Sequence, residues 1–441
     1  MSLQYHKLCI FGLEIGNDSN SGVSSREFSI LMIVLLGFTG VNYLYNGIFR
    51  PLFTDKVDFE AYYNAAQIFR HGGGLYDLMI TYFREGPANY DGPFPYVYPP
   101  AFVIFLSPLG YMSFQYAALT WFLVNQVLFF TGVFLLIKTI SKKYSWTEFS
   151  SLIFVCMNFM PLFIDYLVGQ CTVLLFFLLV LALYFYRMNK DIYAGIFLAI
   201  ACTIKVVPLF LLGYFLWKRS YKVFLAGISA IFIIFLYSLL FFDLDLYLWY
   251  FKFMANQTLF DAYHDNHSLT GFFARMLLHS IWAKGIVNSP LATQICIVLS
   301  SLLMFIAFLF VTRKRVKREE ERMLWEYGLA IVTMLLLSKM TSTPYLVMLL
   351  VPLGIWVHGL FHHNIRAKWI LLTAIAYGVI GVWYPLPVGK FLNMKIYEIF
   401  LKGFLVNLFS IQFLTLLILW CYFSLLIVWP KSVEKEGQPC G

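Results

Sequence analysis

The chain has 441 residues, of which 61% are hydrophobic and 12% charged, with a formal net charge of +9. Soluble domains are nearer half apolar and a quarter charged, so a water-soluble globular fold is excluded. The basic residues stand in short clusters at the ends of apolar runs, which excludes a nucleic-acid binder and marks them as topology signals.

About 27 mixed residues precede the first apolar run, and they do not read as a cleavable signal. Apolar runs then recur at roughly 28–49, 115–137, 149–168, 171–186, 192–204, 206–217, 221–242, 291–312, 323–338, 344–360, 369–387 and 409–429. They predict an all-α, polytopic transmembrane protein with about twelve membrane segments, two of them short, forming one domain over 1–441. Basic clusters at Lys138/Lys142/Lys143, Arg187/Lys190, Lys218/Arg219/Lys222, Arg313 to Arg322 and Arg366/Lys368 belong on the cytoplasmic side, and both termini then lie there too. Two long loops, 50–114 and 243–290, and shorter pieces at 165–170, 339–343 and 388–408 share the outer face. Chemistry on polar substrates is expected on that face. The seven cysteines are dispersed, and no CxxC or Cys/His spacing points to a metal site or a disulfide framework.

In the first outer loop, Asp58, Tyr62, Ala65 and Phe69 recur at helical spacing, with Glu60, Asn64, Gln67 and His71 opposite. This predicts an amphipathic interfacial helix, stopped by Gly72–Gly74. Asp55 and Asp58 suit its N-terminal dipole, so spacing leaves Asp58 open between a cap and a catalytic group. The glycine triplet is not a phosphate loop, because no GK[ST] follows it and no strand precedes it. Further on, "FPYVYPPAFVIFLSPLGYM" (94–112) is a stiff aromatic segment carrying Tyr96 and Tyr98, suited to interfacial anchoring or to walling a lipid or sugar. In "DYLVGQCT" (165–172), a tight polar turn puts Gln170 on the outer face.

Segment 192–217 has basic clusters at both ends, RMNK and WKRSYK. With both on one side, it must go in and return, turning near "IKVVP" with Lys205 at the tip and Pro208 breaking the backbone. A single kinked helix with a snorkelling Lys205 is the other reading. In "HDNHSLTGFFAR" (264–275), His264 and His267 lack metal-ligand spacing, and Arg275 can bind a phosphate or anchor at the headgroups.

No Ser-His-Asp order, nucleotide loop or redox motif is present, and neither a repeat of two halves nor an ion path of interior polar residues is evident. The ordered set "DFEAYYNAAQIFRHGGGLYD", "YVYPPAFVIFLSPL", "GQCTVLLFFLLVLAL", "IKVVPLFLL" and "NHSLTGFFAR" resembles glycosyltransferase family 87 over roughly residues 28–360. The chain departs from the family's pattern at Cys171, where Asn is usual, at His267, where Gln is usual, and around Lys339, Thr341 and Tyr345.

The resemblance implies a GT-C type hexosyltransferase in the cell membrane, related to polyprenyl-phosphate-mannose-dependent α-mannosyltransferases. Its partners would be a polyprenyl-phosphate sugar, a lipid-linked or cell-envelope glycan acceptor and membrane lipids. On that reading Asp58 is the general base of an inverting transfer on the outer face. Lys205, Arg275 and Gln170 are expected at the donor phosphate, and Tyr62, Tyr96, Asn266 and His267 at the substrate. No cofactor and no obligatory metal are expected, since a monophosphate leaving group asks for less charge neutralisation than a nucleoside diphosphate. Two other classes compete: a polysaccharide polymerase or ligase using diphosphate-linked glycans, and a lipid or solute transporter.

Overall fold

The architecture comes from a computed structural model that describes residues 8–10, 13–16, 25–54, 56–87, 89–362, 367–382 and 410–428. Asp55, Arg366, the outer piece 388–408 and both chain ends fall outside the described residues.

Segment 50–114 folds into α2 (Val57–His71), α3 (Asp77–Glu85) and α4 (Pro100–Leu106), after α1 (Ser25–Tyr43). Then come α5 (Phe114–Ile140), α6 (Trp146–Met157), α7 (Met160–Val168), α8 (Thr172–Arg187), α9 (Asp191–Ile204), α10 (Leu209–Trp217) and α11 (Tyr221–Ser238). Segment 243–290 holds α12 (Leu244–Asn256) and α13 (Leu269–Leu277). Last are α14 (Pro290–Val311), α15 (Glu321–Leu337), α16 (Leu350–His362), α17 (Ala367–Tyr377) and α18 (Ile411–Val428). Every expected apolar run is helical where described. Among the described residues, six helical stretches are long and apolar enough to cross a membrane alone. The other runs are shorter, and several sit inside the bundle. The α8 residues Phe176, Leu179 and Leu183 are fully buried, and Tyr327 of α15 donates to the Leu179 carbonyl at 2.9 Å.

By contrast α11 and α14 expose Phe232, Ile233, Leu302 and Leu303, each more than half accessible. Such continuous apolar surface is a lipid face rather than a water face.

The helical prediction missed one small feature. Strands β1 (Leu8–Ile10) and β2 (Leu13–Gly16) form an antiparallel pair, and β2 continues in parallel onto β3 (Lys143–Ser145). These stretches are too short for a helix to nucleate. Their pairing places residues 8–10 and 13–16 at the end of the bundle that carries Lys142 and Lys143.

Segment 192–217 is two helices, not one kinked span. Helix α9 ends as Lys205 turns extended (φ −140°, ψ 139°), and Pro208 starts α10. The two ends of this pair farthest from Lys205 come together. Asp191 at the start of α9 receives a two-pronged ion pair from Arg318, one arm at 2.8 Å. Lys218, just after α10, meets Glu326 at 2.7 Å. Tyr186 and Ser220 hydroxyls share a hydrogen bond at 3.0 Å, so RMNK and WKRSYK face one groove. The chain therefore goes in and returns, and Lys205 is its tip. At about 1.5 Å per residue, the 14 residues of α9 and the 9 of α10 are both too short for a 30 Å core.

Candidate functional site

Helix α2 carries Asp58 in its first turn, but Asp58 is not the cap. Lys56 holds the N-cap position and anchors the entry by donating to the carbonyls of Pro51 (2.6 Å) and Tyr166 (3.2 Å). The helix stops at Gly72, whose φ of 80° and N–H bond to Ile68 confirm the expected glycine stop.

The half-buried Asp58 carboxylate accepts from the Gln170 amide at 2.9 Å. Helix α7 ends at Gly169, whose φ of 73° is left-handed. An added Cβ there would lie 2.6 Å from the Cβ of Phe59, so only glycine lets the 165–170 turn approach α2 this closely. That approach delivers Gln170 to Asp58. The Gln170 carbonyl oxygen in turn accepts from the hydroxyl of Tyr98 at 2.5 Å and from that of Tyr62, and the two hydroxyl oxygens lie 2.8 Å apart. The amide orientation is thereby fixed, with its N–H toward the carboxylate.

Lys205 reaches the same cluster from the tip of the α9–α10 pair. It is 8% exposed, and its ammonium has no hydrogen-bond acceptor among the described residues. Instead it lies over two rings, 3.3 Å from the Tyr345 centroid and 5.1 Å from that of Tyr98. Aromatic faces attract a cation, but they leave its N–H bonds unused.

A second carboxylate closes the cluster. Asp265 sits against the start of the stretch leading into α16, where it accepts from the Thr343 hydroxyl and from the Thr343 N–H at 3.1 Å. The imidazole Nε2 of His267 lies 3.1 Å from it. The two carboxyls are shifted in opposite directions. Burial raises Asp58 to about 6, opposed by Lys205 and the Gln170 hydrogen bond and reinforced by the charge of Asp265. Burial also pushes Asp265 up, but the His267 and Thr343 hydrogen bonds outweigh it and hold that carboxyl below its usual value. Two carboxyls driven apart in this way suit different roles.

The remaining expected contacts are used by the protein itself. Asn266 is fully buried: its Oδ1 accepts from Ser268 (2.8 Å) and from the Thr341 N–H (3.1 Å), while its amide donates to the Lys339 carbonyl at 3.0 Å. Arg275 was expected at a phosphate. Its guanidinium donates to the carbonyls of Tyr263 and Asn266, both at 2.7 Å, and to Ser410, so it pins the loop. Burial lowers it to about 10. Tyr96 donates to Pro99 at 2.8 Å and stacks on Tyr76, so of the two tyrosines in this segment Tyr98 is the one in the site. Tyr62 stands behind Gln170. Residues that spacing did not single out, Tyr98, Asp265, Thr343 and Tyr345, complete the cluster. The signal for Asp265 was its place beside His264 and His267, and the signal for Thr343 and Tyr345 was the departure from family pattern around them.

A model of glycosyltransferase family 87 matches residues 96–338, more than half of the chain. The chain belongs to that family. Comparison with curated proteins gives no match. The glycosyltransferase match includes Tyr98, Gln170, Lys205 and Asp265, yet starts after Asp58. The Gln170–Asp58 hydrogen bond joins the first outer loop to the matched region, and several apolar helices make this a membrane glycosyltransferase.

Proposed function

We propose that this glycosyltransferase moves a hexose, mannose in the first instance, from a polyprenyl monophosphate to a hydroxyl of a lipid-linked or envelope glycan on the outer face of the cell membrane, with inversion. The observation that carries the proposal is the pairing in one cluster of a half-buried carboxylate, Asp58, with a buried ammonium, Lys205, that has aromatic faces but no acceptor among the described residues.

The acceptor hydroxyl is too weak an acid to attack unaided. As its oxygen bonds to the anomeric carbon from one face, its proton passes to the Asp58 carboxylate, an effect worth about 10²–10⁴-fold. The bond to the phosphate oxygen breaks on the opposite face through an oxocarbenium-like state. The leaving phosphate gains charge as it departs, and the unused N–H bonds of Lys205 receive it. Gln170 orients the base rather than the phosphate. Asp265, kept anionic, faces the positive charge growing on the sugar ring.

The test is transfer from polyprenyl-phosphate mannose by purified Asp58→Asn protein against the parent. Loss of transfer with retained fold is expected, and full turnover by a folded Asn variant removes the base assignment. Activity only with a diphosphate-linked oligosaccharide points instead to a polymerase or ligase, and flux without covalent product to a transporter.

A further inference from the structure

At the end of the bundle away from Asp58, three side chains converge that sugar transfer does not use. Glu148 lies in the first turn of α6, directly after β3 and the Ser145 cap that accepts its N–H at 3.2 Å. The cap-and-Glu spacing would let this carboxylate fold back on its own helix end. It turns instead to α16. One oxygen lies 2.5 Å from Nδ1 of His358, the other 3.2 Å from Nε2 of His362. The two histidines are one helical turn apart, i and i+4, with ring centroids 4.2 Å from each other. Glu148 is 1% exposed and His358 9%, while the His362 side chain is 47% exposed. Helix α16 and the turn before it run for 20 residues from Thr343, which touches Asp265, to His362, so this cluster is roughly 30 Å from the sugar-transfer chamber.

An ion pair alone explains this arrangement poorly. Hydrogen bonds from two neutral imidazoles leave the charge of the buried carboxylate unneutralised, and two charged rings in contact would set like charges side by side. A divalent ion removes the conflict, because it binds both imidazoles in their neutral form and neutralises the buried carboxylate. The three donor atoms lie within 4.8 Å of one another, against about 3.4 Å between donors in a tetrahedral zinc site with ligand distances of about 2.0–2.1 Å. Reaching that spacing asks the 2.5 Å Glu148–His358 pair to open and the widest pair to close, by side-chain rotation. Two nitrogens and one carboxylate oxygen are a donor set for zinc(II) or a similar first-row cation rather than magnesium or calcium. The exposed side of His362 leaves a fourth position to water.

We propose that Glu148, His358 and His362 form a divalent transition-metal site that fastens α6 to α16 on the face opposite the transferase chamber. The ion is a structural clasp and takes no part in sugar transfer.

The experiment uses the full-length protein in detergent, stripped with a chelator and titrated with zinc(II) against a chromogenic chelator, with thermal unfolding followed in parallel. The parent is expected to bind one equivalent and to unfold at a higher temperature when loaded. His362→Ala, at the exposed ligand, should fold normally, lose the zinc-dependent thermal shift and bind on the order of 100-fold or more weakly, beyond the about 10–100-fold typical of an outer-sphere change. Glu148→Gln should behave alike, and cobalt(II) loading should give the visible absorption of a four-coordinate site in the parent only. The proposal is overturned if the stripped parent binds less than one equivalent at micromolar free zinc. Parent-like affinity in a folded His362→Ala protein overturns it equally, leaving the cluster as a hydrogen-bonded ion pair only.

Discussion

Glu326 is fully buried and meets Lys218 at 2.7 Å and Arg322 at 3.0 Å, whereas Lys205, at the opposite end of α10, is nearly as buried and meets no acceptor among the described residues. The Glu326 end spends its charges on structure. Lys218 also donates to the Thr312 carbonyl at 2.9 Å, and Arg318 grips Asp191, so the basic clusters are fastened to the helices around them. The Lys205 end keeps charge in reserve. A buried cation without a partner is costly, and within a membrane protein such cost marks function. Burial is similar at the two ends, and satisfaction separates them.

The largest expected effect follows at Asp58. Asp58→Asn should lower transfer by about 10²–10⁴-fold while the protein still folds, because only the proton acceptor is lost. Purified enzyme and a radiolabelled donor measure this. Lys205→Met comes next, with a loss of about 10²–10³-fold in turnover and no loss of thermal stability, since it breaks no ion pair. A marked drop in stability without a turnover defect would place Lys205 with the structural charges and erase the contrast.

The opposite behaviour is expected of Glu326→Ala. Leaving Lys218 and Arg322 without their buried carboxylate should cost about 3–5 kcal/mol, with normal transfer by the molecules that remain folded. Thermal unfolding in detergent, normalised to activity, reads both numbers. The acid limb of the pH–rate profile should have its midpoint near 6, where burial places Asp58, with transfer falling as pH drops through it. The sign for stability is the reverse. A carboxyl whose folded value lies above its unfolded one stabilises the fold fully below the unfolded value of 3.8, and this contribution is lost as pH rises through about 6. Asp58→Asn should therefore cost no stability at neutral pH. The smallest effect is at Gln170. Gln170→Ala removes a hydrogen bond that lowers Asp58, so the midpoint should move above 6 with a modest loss of turnover. An unmoved midpoint would show that the amide does not hold the base.

Much of the architecture was legible in the chain itself. Apolar runs of membrane length leave the backbone no alternative to helices, since in lipid each amide must bond within its own segment. Placing both RMNK and WKRSYK on one side was enough to turn 192–217 back on itself, with Lys205 at the tip. The ordered motifs gave the family. What the chain alone determined is thus a set of helices, their sidedness relative to one another and a short list of polar residues at one end.

Contacts between distant segments decided the rest. Asp58 and Gln170 are 112 positions apart, and Gly169 is what lets them meet. Asn266 and Arg275 looked like ligands because they are polar residues in an outer loop. The tertiary structure gives their donors to carbonyls, since buried polar groups in a loop must be satisfied by nearby backbone. Tyr96 and Tyr98 are indistinguishable in sequence, and the fold turns one to Pro99 and the other to Gln170. Glu148 and His358 stand 210 positions apart, and no local spacing relates them. Periodicity and hydropathy are local quantities that follow from the chain's own geometry. Whether a charge is paired or left free depends on what the other helices bring to it.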